Sequence, residues 1–322
     1  MLQERVEIKD YNEFIEQAAS HFRAVVGEKR ALLALSGGVD SMVCAALMSK
    51  AIGNKLTCIF VDTGLMRLNE AQEVAKMVND NFEAKFISVD AEARFLSKLE
   101  GVTDPETKRK IIGEEFIRVF EEESAKLGQI DFLVQGTIYS DVIESGTNGG
   151  DLVKSHHNVG GLPEDVNFKE ILEPLKFFYK DEVRQLGLAL GLPRSMVYRQ
   201  PFPGPGLAIR VIGEVTKTRL DTLRQSDYIY RNEIASANLD IWQYFAVLTD
   251  LKAVGVKNHK RTYGSVLALR AVHSKDAMEA SFAHIPYPVL EKITARITTE
   301  VEEVTRVVYD ITHKPPGTIE WE

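Results

Sequence analysis

Six consecutive residues, Ser36-Gly37-Gly38-Val39-Asp40-Ser41, carry the types that hold an anion through main-chain and hydroxyl donors. Two glycines let the backbone come close to a ligand, and the hydroxyls of Ser36 and Ser41 can donate to the same phosphate oxygens. Asp40 is a carboxylate where a phosphate would sit, which makes sense mainly with a cation between the two. The stretch is neither G-x-x-x-x-G-K-S/T nor G-x-G-x-x-G, so the two commonest nucleotide loops do not apply. Taken alone it also fits an ordinary strand-to-helix turn, since Ser-Gly and Gly-Gly pairs punctuate turns. A second cluster, Lys154-Ser155-His156-His157-Asn158, lies in an irregular stretch between Glu144 and Asp165 rich in glycine. A long segment without its own periodicity is usually functional or disordered, and paired histidines beside lysine favour a functional lid. Adjacent histidines lack the i, i+4 spacing of a helical metal site, so the metal reading is the weaker one.

The elements that must position these residues follow from periodicity. The apolar run Ala31-Leu32-Leu33-Ala34-Leu35 reads as a buried parallel strand, and Met42 to Lys50, without Gly or Pro, as a helix. A strand, a glycine loop and a helix N-terminus together present backbone N–H groups and a partial positive charge to an anion. Tyr11 to Val26 has apolar residues near a 3.6 period and predicts an amphipathic helix. Strands are expected at Leu56–Val61, Ala84–Val89 and Asp131–Gln135, and helices at Glu70–Asn81 and from Pro105 to Lys126, the latter capped by Asp104. This alternation predicts a doubly wound α/β sheet, with Ser36, Asp62 and Gly136 at carboxyl ends of strands, where such sheets bind ligands. A helix at Tyr179–Leu190 is followed by Arg199-Gln200-Pro201-Phe202-Pro203-Gly204-Pro205-Gly206-Leu207, a rigid stretch that marks a domain junction. The boundary is therefore set at 200/201, with residues 1–200 and 201–322 as two domains and a lid at about 144–165. The remainder reads as α+β: strands at Ala208–Ile212, Leu267–Val272 and Thr305–Ile311, helices at Lys217–Ala237, Ser274–Ala283 and Pro288–Glu302. The terminal Lys314-Pro315-Pro316-Gly317-Thr318-Ile319-Glu320-Trp321-Glu322 is unlike a frayed tail and is expected to be tied down.

Composition narrows the class. The 322 residues carry a formal net charge of −8, which argues against general affinity for a nucleic-acid backbone. The two cysteines, Cys44 and Cys58, sit in apolar runs and make no C-x-x-C pair, so buried reduced thiols are expected rather than a zinc ribbon or redox dithiol. No apolar run approaches ~18 residues and the N-terminus has no signal core, so no membrane span and a cytoplasmic setting are expected.

The glycine loop resembles the pyrophosphate loop of the ATP pyrophosphatases, which cleave ATP between its α- and β-phosphates. Five further stretches, Asp104 to Gly113, Gln135 to Ser145, Lys154 to Pro163, Tyr198 to Leu207 and Lys314 to Glu322, resemble the synthetase part of the GMP synthetase family in order. The resemblance implies an adenine nucleotide α-hydrolase-like sheet followed by a smaller α+β dimerisation domain. It implies that XMP is adenylylated by ATP at the oxygen on purine C2, releasing pyrophosphate, and that ammonia then displaces AMP to give GMP. By resemblance, Ser36, Gly37, Gly38, Val39, Asp40 and Ser41 hold the β- and γ-phosphates with Mg²⁺ near Asp40, and Asp62 and Gly136 lie beside the adenosine. Lys154, His156 and His157 fold over the substrates, and Lys180 and Asp181 lie near the phosphates. Arg109, Arg210, Lys314, Ile319 and Glu320 are expected at XMP. Asp141 and Glu144, at i, i+3, are candidates for metal or lid contacts or else a plain exposed acidic face.

Two departures from the family pattern fall together. Asn258-His259-Lys260-Arg261 stands where Gly-Asp-Gly-Arg is common, and Gly264-Ser265 follows Tyr263 where an acidic or amide residue and Trp commonly follow. Neither cysteine lies in a nucleophile turn and no glutaminase-like stretch precedes the loop, so the chain is either one subunit of a two-subunit enzyme or an excised domain. The charged lead-in helix favours the subunit, with ammonia expected from a separate glutaminase partner. The competing readings are another adenylating ATP pyrophosphatase, such as a tRNA thiolase, and a nucleotide-binding homologue without turnover. The absent C-x-x-C and the acidic charge count against the first, and the intact Asp40, His156 and Lys314 count against the second, which the altered 258–265 stretch keeps open.

Overall fold

A computed structural model describes residues 8–146, 168–257, 259–275 and 277–322. In chain order the elements are α1 (Tyr11–Val26), β1 (Ala31–Ala34), α2 (Val39–Ile52), β2 (Leu56–Asp62), α3 (Glu70–Asn81), β3 (Lys85–Asp90) and α4 (Glu92–Leu99). They continue with α5 (Pro105–Lys126), β4 (Phe132–Val134), α6 (Tyr139–Gly146), β5 (Glu170–Leu172), α7 (Lys180–Ala189) and α8 (Arg194–Val197). A short 3-10 turn, Gly206–Arg210, precedes α9 (Lys217–Ser236), β6 (Gln243–Lys257), β7 (Lys260–His273), β8 (Ser281–Phe282), α10 (Tyr287–Glu300) and β9 (Val304–Asp310). They form two compact units. One holds the chain up to Thr63 with Glu70–Ala91 and Gly113–Arg199, and the other holds Gly64–Asn69, Glu92–Ile112 and Gln200–Glu322. Beside the expected division at residue 200, two short excursions of the N-terminal part thus fold with the second unit, and α5 runs through both.

The first unit is built on a five-stranded parallel sheet in the order β3-β2-β1-β4-β5. From β1 the chain winds outward to β3, then returns across to β4 on the other side of β1. That reversal is the switch point of a doubly wound sheet, and it places the carboxyl ends of β1 and β4 side by side. α1 starts where Asp10 accepts N–H bonds from Asn12 and Glu13, at 2.8 and 3.2 Å. α1, α2 and α7 pack on one another, and α2 is buried along nearly its whole circumference. Cys44 and Cys58 are buried free thiols, as the apolar runs imply, and burial pushes both above their ordinary value, Cys58 to about 12.

In the second unit β6 and β7 form a long antiparallel hairpin, β8 pairs with the end of β7, and β9 joins β7 in parallel. α9 packs on β6 and on α10. Two expectations need correction here, and one strand was not anticipated. Ala208–Ile212 is not a strand: Gly206 takes φ +64° and donates to the Pro203 carbonyl, which winds the segment into a 3-10 turn, and only Val211 bridges to Leu248. Ser274–Ala283 is not a helix: the Ser274 hydroxyl accepts from the Ala277 N–H and donates to the Glu279 carbonyl, closing a local turn before β8. The long strand β6 was not anticipated, because beyond Leu248 its residues stand largely exposed and lose the buried alternation that marks a strand.

The departures at 258–265 have a structural setting. At the first, Lys257 of β6 pairs with Lys260 of β7, and His259 takes φ +60°. At the second, a Cβ on Gly264 would fall 2.4 Å from Thr305 Cγ2 and 2.7 Å from the Glu303 carbonyl, so the absence of a side chain is what lets β7 meet the start of β9. Gly264→Ala is therefore expected to destabilise the chain by about 1–3 kcal/mol, read from the denaturant midpoint. Gly113→Ala, inside α5 with nothing near the added Cβ, should instead stabilise by up to ~1 kcal/mol.

Candidate functional site

The strand β1 hands over to the glycine loop at Leu35, whose N–H still bonds the Ile59 carbonyl at 2.8 Å. Gly37 then takes φ +77°, and a Cβ there would lie 2.9 Å from Val74 Cγ2, so only glycine makes this turn without strain. The Ser41 hydroxyl donates to the Gly38 carbonyl at 3.0 Å, which leaves Ser36 Oγ, 3.0 Å away, as donor to Ser41. The Gly38 N–H reaches Ser36 Oγ at 3.3 Å. Gly38 is the N-cap of α2 and brings no side chain to cap it, so the first turn presents its N–H groups at the tip of a buried helix. Val39 is buried and anchors that tip in the core.

Asp40 lies in this first turn. Its Oδ2 is 2.5 Å from Lys180 Nζ, contributed by the start of α7, while Oδ1 is buried and accepts no hydrogen bond among the described residues. A buried carboxylate oxygen without a donor fits a hard cation. No group of three or more His, Cys, Asp or Glu side chains gathers as a metal cage among the described residues. One carboxylate with the remaining positions left to waters and phosphates is how Mg²⁺ is usually held.

Gly136 closes the site from β4. A Cβ on it would lie 3.4 Å from the Asp40 carbonyl carbon and from the Ser41 nitrogen. The next residue, Thr137, has a buried hydroxyl with no hydrogen-bond partner among the described residues. Asp62 ends β2 beside Asp90, and its carbonyl accepts from the Ala91 N–H at 2.9 Å. The structure thus brings Ser36, Gly37, Gly38, Val39, Asp40, Ser41, Gly136 and Lys180 together. Asp181 points away: its side chain is 89% exposed and pairs with Arg184 at 2.7 Å. Asp141 accepts from the Ile138 N–H at 3.0 Å and so closes the first turn of α6. The expected lid residues Lys154, His156 and His157, and the Glu144 side chain, lie outside the described residues.

The second unit gathers most of the other candidates around the chain terminus. Arg210 is fully buried and grips Glu320 with two hydrogen bonds, at 2.7 and 3.0 Å, while its guanidinium lies 3.9 Å from the centre of the Phe245 ring. Ile319 packs on Phe245, Val247 and Ala268. Arg109 donates to the Glu322 carbonyl, and the buried Lys108 meets the Glu322 carboxylate and the Val211 carbonyl. Burial pushes Lys108 below its ordinary value against the opposing pull of Glu322. Lys314 pairs through its backbone with Ala280 and donates from Nζ to the Ala277 carbonyl at 2.8 Å. The tail is tied down by its own acidic residues. Lys108, Glu322, Arg199 and Glu70 escaped the sequence reading. The basic run at the start of α5 and the two glutamates two residues apart at the ends of the terminal Glu320-Trp321-Glu322 were the signal for the first pair.

Residues 232–321 match the family described as GMP synthase C terminal domain, and residues 7–115 the one described as NAD synthase. Among curated relatives, proteins named GMP synthase (glutamine-hydrolyzing) from Ruminiclostridium cellulolyticum and Acetivibrio thermocellus are 60% and 61% identical over 311 residues. One from Finegoldia magna is 60% identical over 312 residues. In each case the match covers 96% of this chain and 61% of the relative, so the chain spans about three fifths of the length of these proteins. No helix is long and apolar enough to cross a membrane among the described residues.

The tail offers a pH-dependent readout. Trp321 Nε1 donates to Asp310 Oδ2 at 3.0 Å. Burial pulls the Asp310 carboxyl up, but hydrogen bonds from Thr312, the Arg270 charge and Trp321 hold it below the ordinary value of about 3.9. A carboxyl lowered in the folded state stabilises fully above its unfolded value and loses that contribution as pH falls through the lowered one. Trp321 fluorescence, followed in a Trp242→Phe background, should hold steady down to about pH 4 and change only below it. In Asp310→Ala the change should be absent.

Proposed function

We infer that this chain, which belongs to the GMP synthase family over the stretch it shares with those relatives, catalyses the ATP-dependent amination of XMP to GMP. The observation that carries this reading is the glycine loop at the switch point of the sheet, with its buried, half-paired Asp40 and the Lys180 ammonium beside it. A triphosphate held there by the α2 N–H groups, the Ser36 and Ser41 hydroxyls and Lys180 would have its β- and γ-phosphates stabilised as they leave. Mg²⁺, bound through Asp40 and the phosphates, would neutralise the charge that builds on the leaving pyrophosphate. The oxygen on purine C2 of XMP attacks the α-phosphorus, pyrophosphate departs, and the C2–O bond becomes activated by the attached AMP. Ammonia then adds at C2, AMP leaves with the C2–O pair, and a proton is lost to give GMP.

Arg109, Arg210, Lys314, Ile319 and Glu320 are the residues we assign to XMP, with Lys314 as the point charge suited to its phosphate. Their clustering at the anchored tail of the second unit supports the assignment. Ammonia would come from a separate glutaminase subunit. A homodimer through the second unit is supported by apolar side chains left exposed on its hairpin, Val256 and Tyr263 among them. A cytoplasmic setting suits this chemistry.

With ATP, Mg²⁺, XMP and ammonium, this chain alone should produce GMP, AMP and pyrophosphate in equal amounts. No GMP at saturating ammonium would overturn the reading. Asp40→Asn should slow pyrophosphate release by about two to three orders of magnitude with an unchanged circular dichroism spectrum.

A further inference from the structure

Gly37 is held from two sides by residues of its own unit. On one side stands Val74 of α3, at the place a Cβ would need. On the other, the Arg199 guanidinium donates from Nη1 to the Gly37 carbonyl at 3.2 Å and from Nη2 to Glu70 Oε1. Glu70 opens α3 with its side chain 3% exposed, and a carboxylate buried that far needs a cation to stay ionised.

The consequence lies in the peptide plane. The Gly37 carbonyl and the Gly38 N–H belong to one planar unit, so fixing the oxygen fixes the direction of the N–H on the opposite edge. That N–H reaches Ser36 Oγ at 3.3 Å within the loop, and glycine on both sides of the plane gives it little torsional resistance of its own. A guanidinium can serve a carbonyl and a carboxylate together because its donors lie in a rigid fork, which a lysine ammonium does not offer.

We propose that Arg199, anchored by Glu70, is a positioning residue that sets the Gly37–Gly38 peptide plane and so the aim of a loop donor at the pyrophosphate group. It acts through the loop and does not touch the phosphates. The proposal rests on the reading of Ser36 to Ser41 as a pyrophosphate site.

The test is calorimetric titration of the whole chain with pyrophosphate and Mg²⁺, with AMP as the control ligand and neither XMP nor ammonium present. Arg199→Met and Arg199→Lys should both weaken pyrophosphate by about tenfold and leave AMP binding as in the parent. Glu70→Gln should give a smaller loss, and adding it to Arg199→Met should cost nothing further, since the two act as one unit. Unchanged pyrophosphate affinity in Arg199→Met, full recovery in Arg199→Lys, or an equal loss of AMP would each overturn the positioning role. Should Arg199→Met fail to fold, Glu70→Gln decides, because unchanged affinity there has the same force. GMP formation plays no part in this readout, so a failure of the amination reaction and a failure of this proposal are told apart.

Discussion

The parallel pairing of β1 with β4 is the constraint on which the first unit depends. The exit of β4 lies against the first turn of α2, where a methyl group at Gly136 would stand in van der Waals contact with the Asp40 and Ser41 backbone. That approach follows from topology, because β1 and β4 are hydrogen-bonded neighbours although α2, β2, α3, β3, α4 and α5 lie between them in sequence. The loop after one strand and the first residues after the other must then share one small volume. Glycine at both exits satisfies the constraint, and the carboxylate, the hydroxyls and the Lys180 ammonium are arranged around it.

The second unit solves a different problem. Arg210 and Arg270 are wholly buried, and Lys108 with them. Each buried cation meets oxygen supplied by the last thirteen residues of the chain: Glu320 for Arg210, Asp310 and the Thr312 and Thr318 carbonyls for Arg270, and Glu322 for Lys108. Removing one partner of such a pair leaves an uncompensated charge, which is strongly destabilising. The terminal segment is therefore part of the unit's interior electrostatics, and its composition cannot vary independently of α5 and the 206–210 turn.

Much of the first unit was legible because its signals are local. Ala31 to Leu35 is short, apolar and followed by glycine, and Asp104-Pro105 announces α5 at the observed residue. In the second unit local signals mislead. Ala208 to Ile212 looks extended by composition, but the Gly206 turn and the buried Arg210 bend it. Exposed residues along β6 carry no period to read, since pairing with β7 rather than burial defines that strand. Within the site, Ser36 to Ser41 could be found by residue type. The Arg199–Glu70 pair could not, because it joins positions 129 residues apart that only the folded sheet brings together.

The burial of α2 has a thermodynamic meaning for the loop at its tip. A helix covered on all sides cannot rotate about its axis or slide without breaking contacts with α1 and α7. Its N-terminal donors therefore keep one orientation whatever stands before them. An anion arriving there meets dipoles that need no reorganisation, so little of its interaction energy is consumed in ordering the protein. If the loop holds a phosphate as proposed, the same rigidity would discriminate by geometry: a group of the wrong shape would not recruit the loop to fit it, and selectivity for a tetrahedral anion would follow from stiffness as much as from charge.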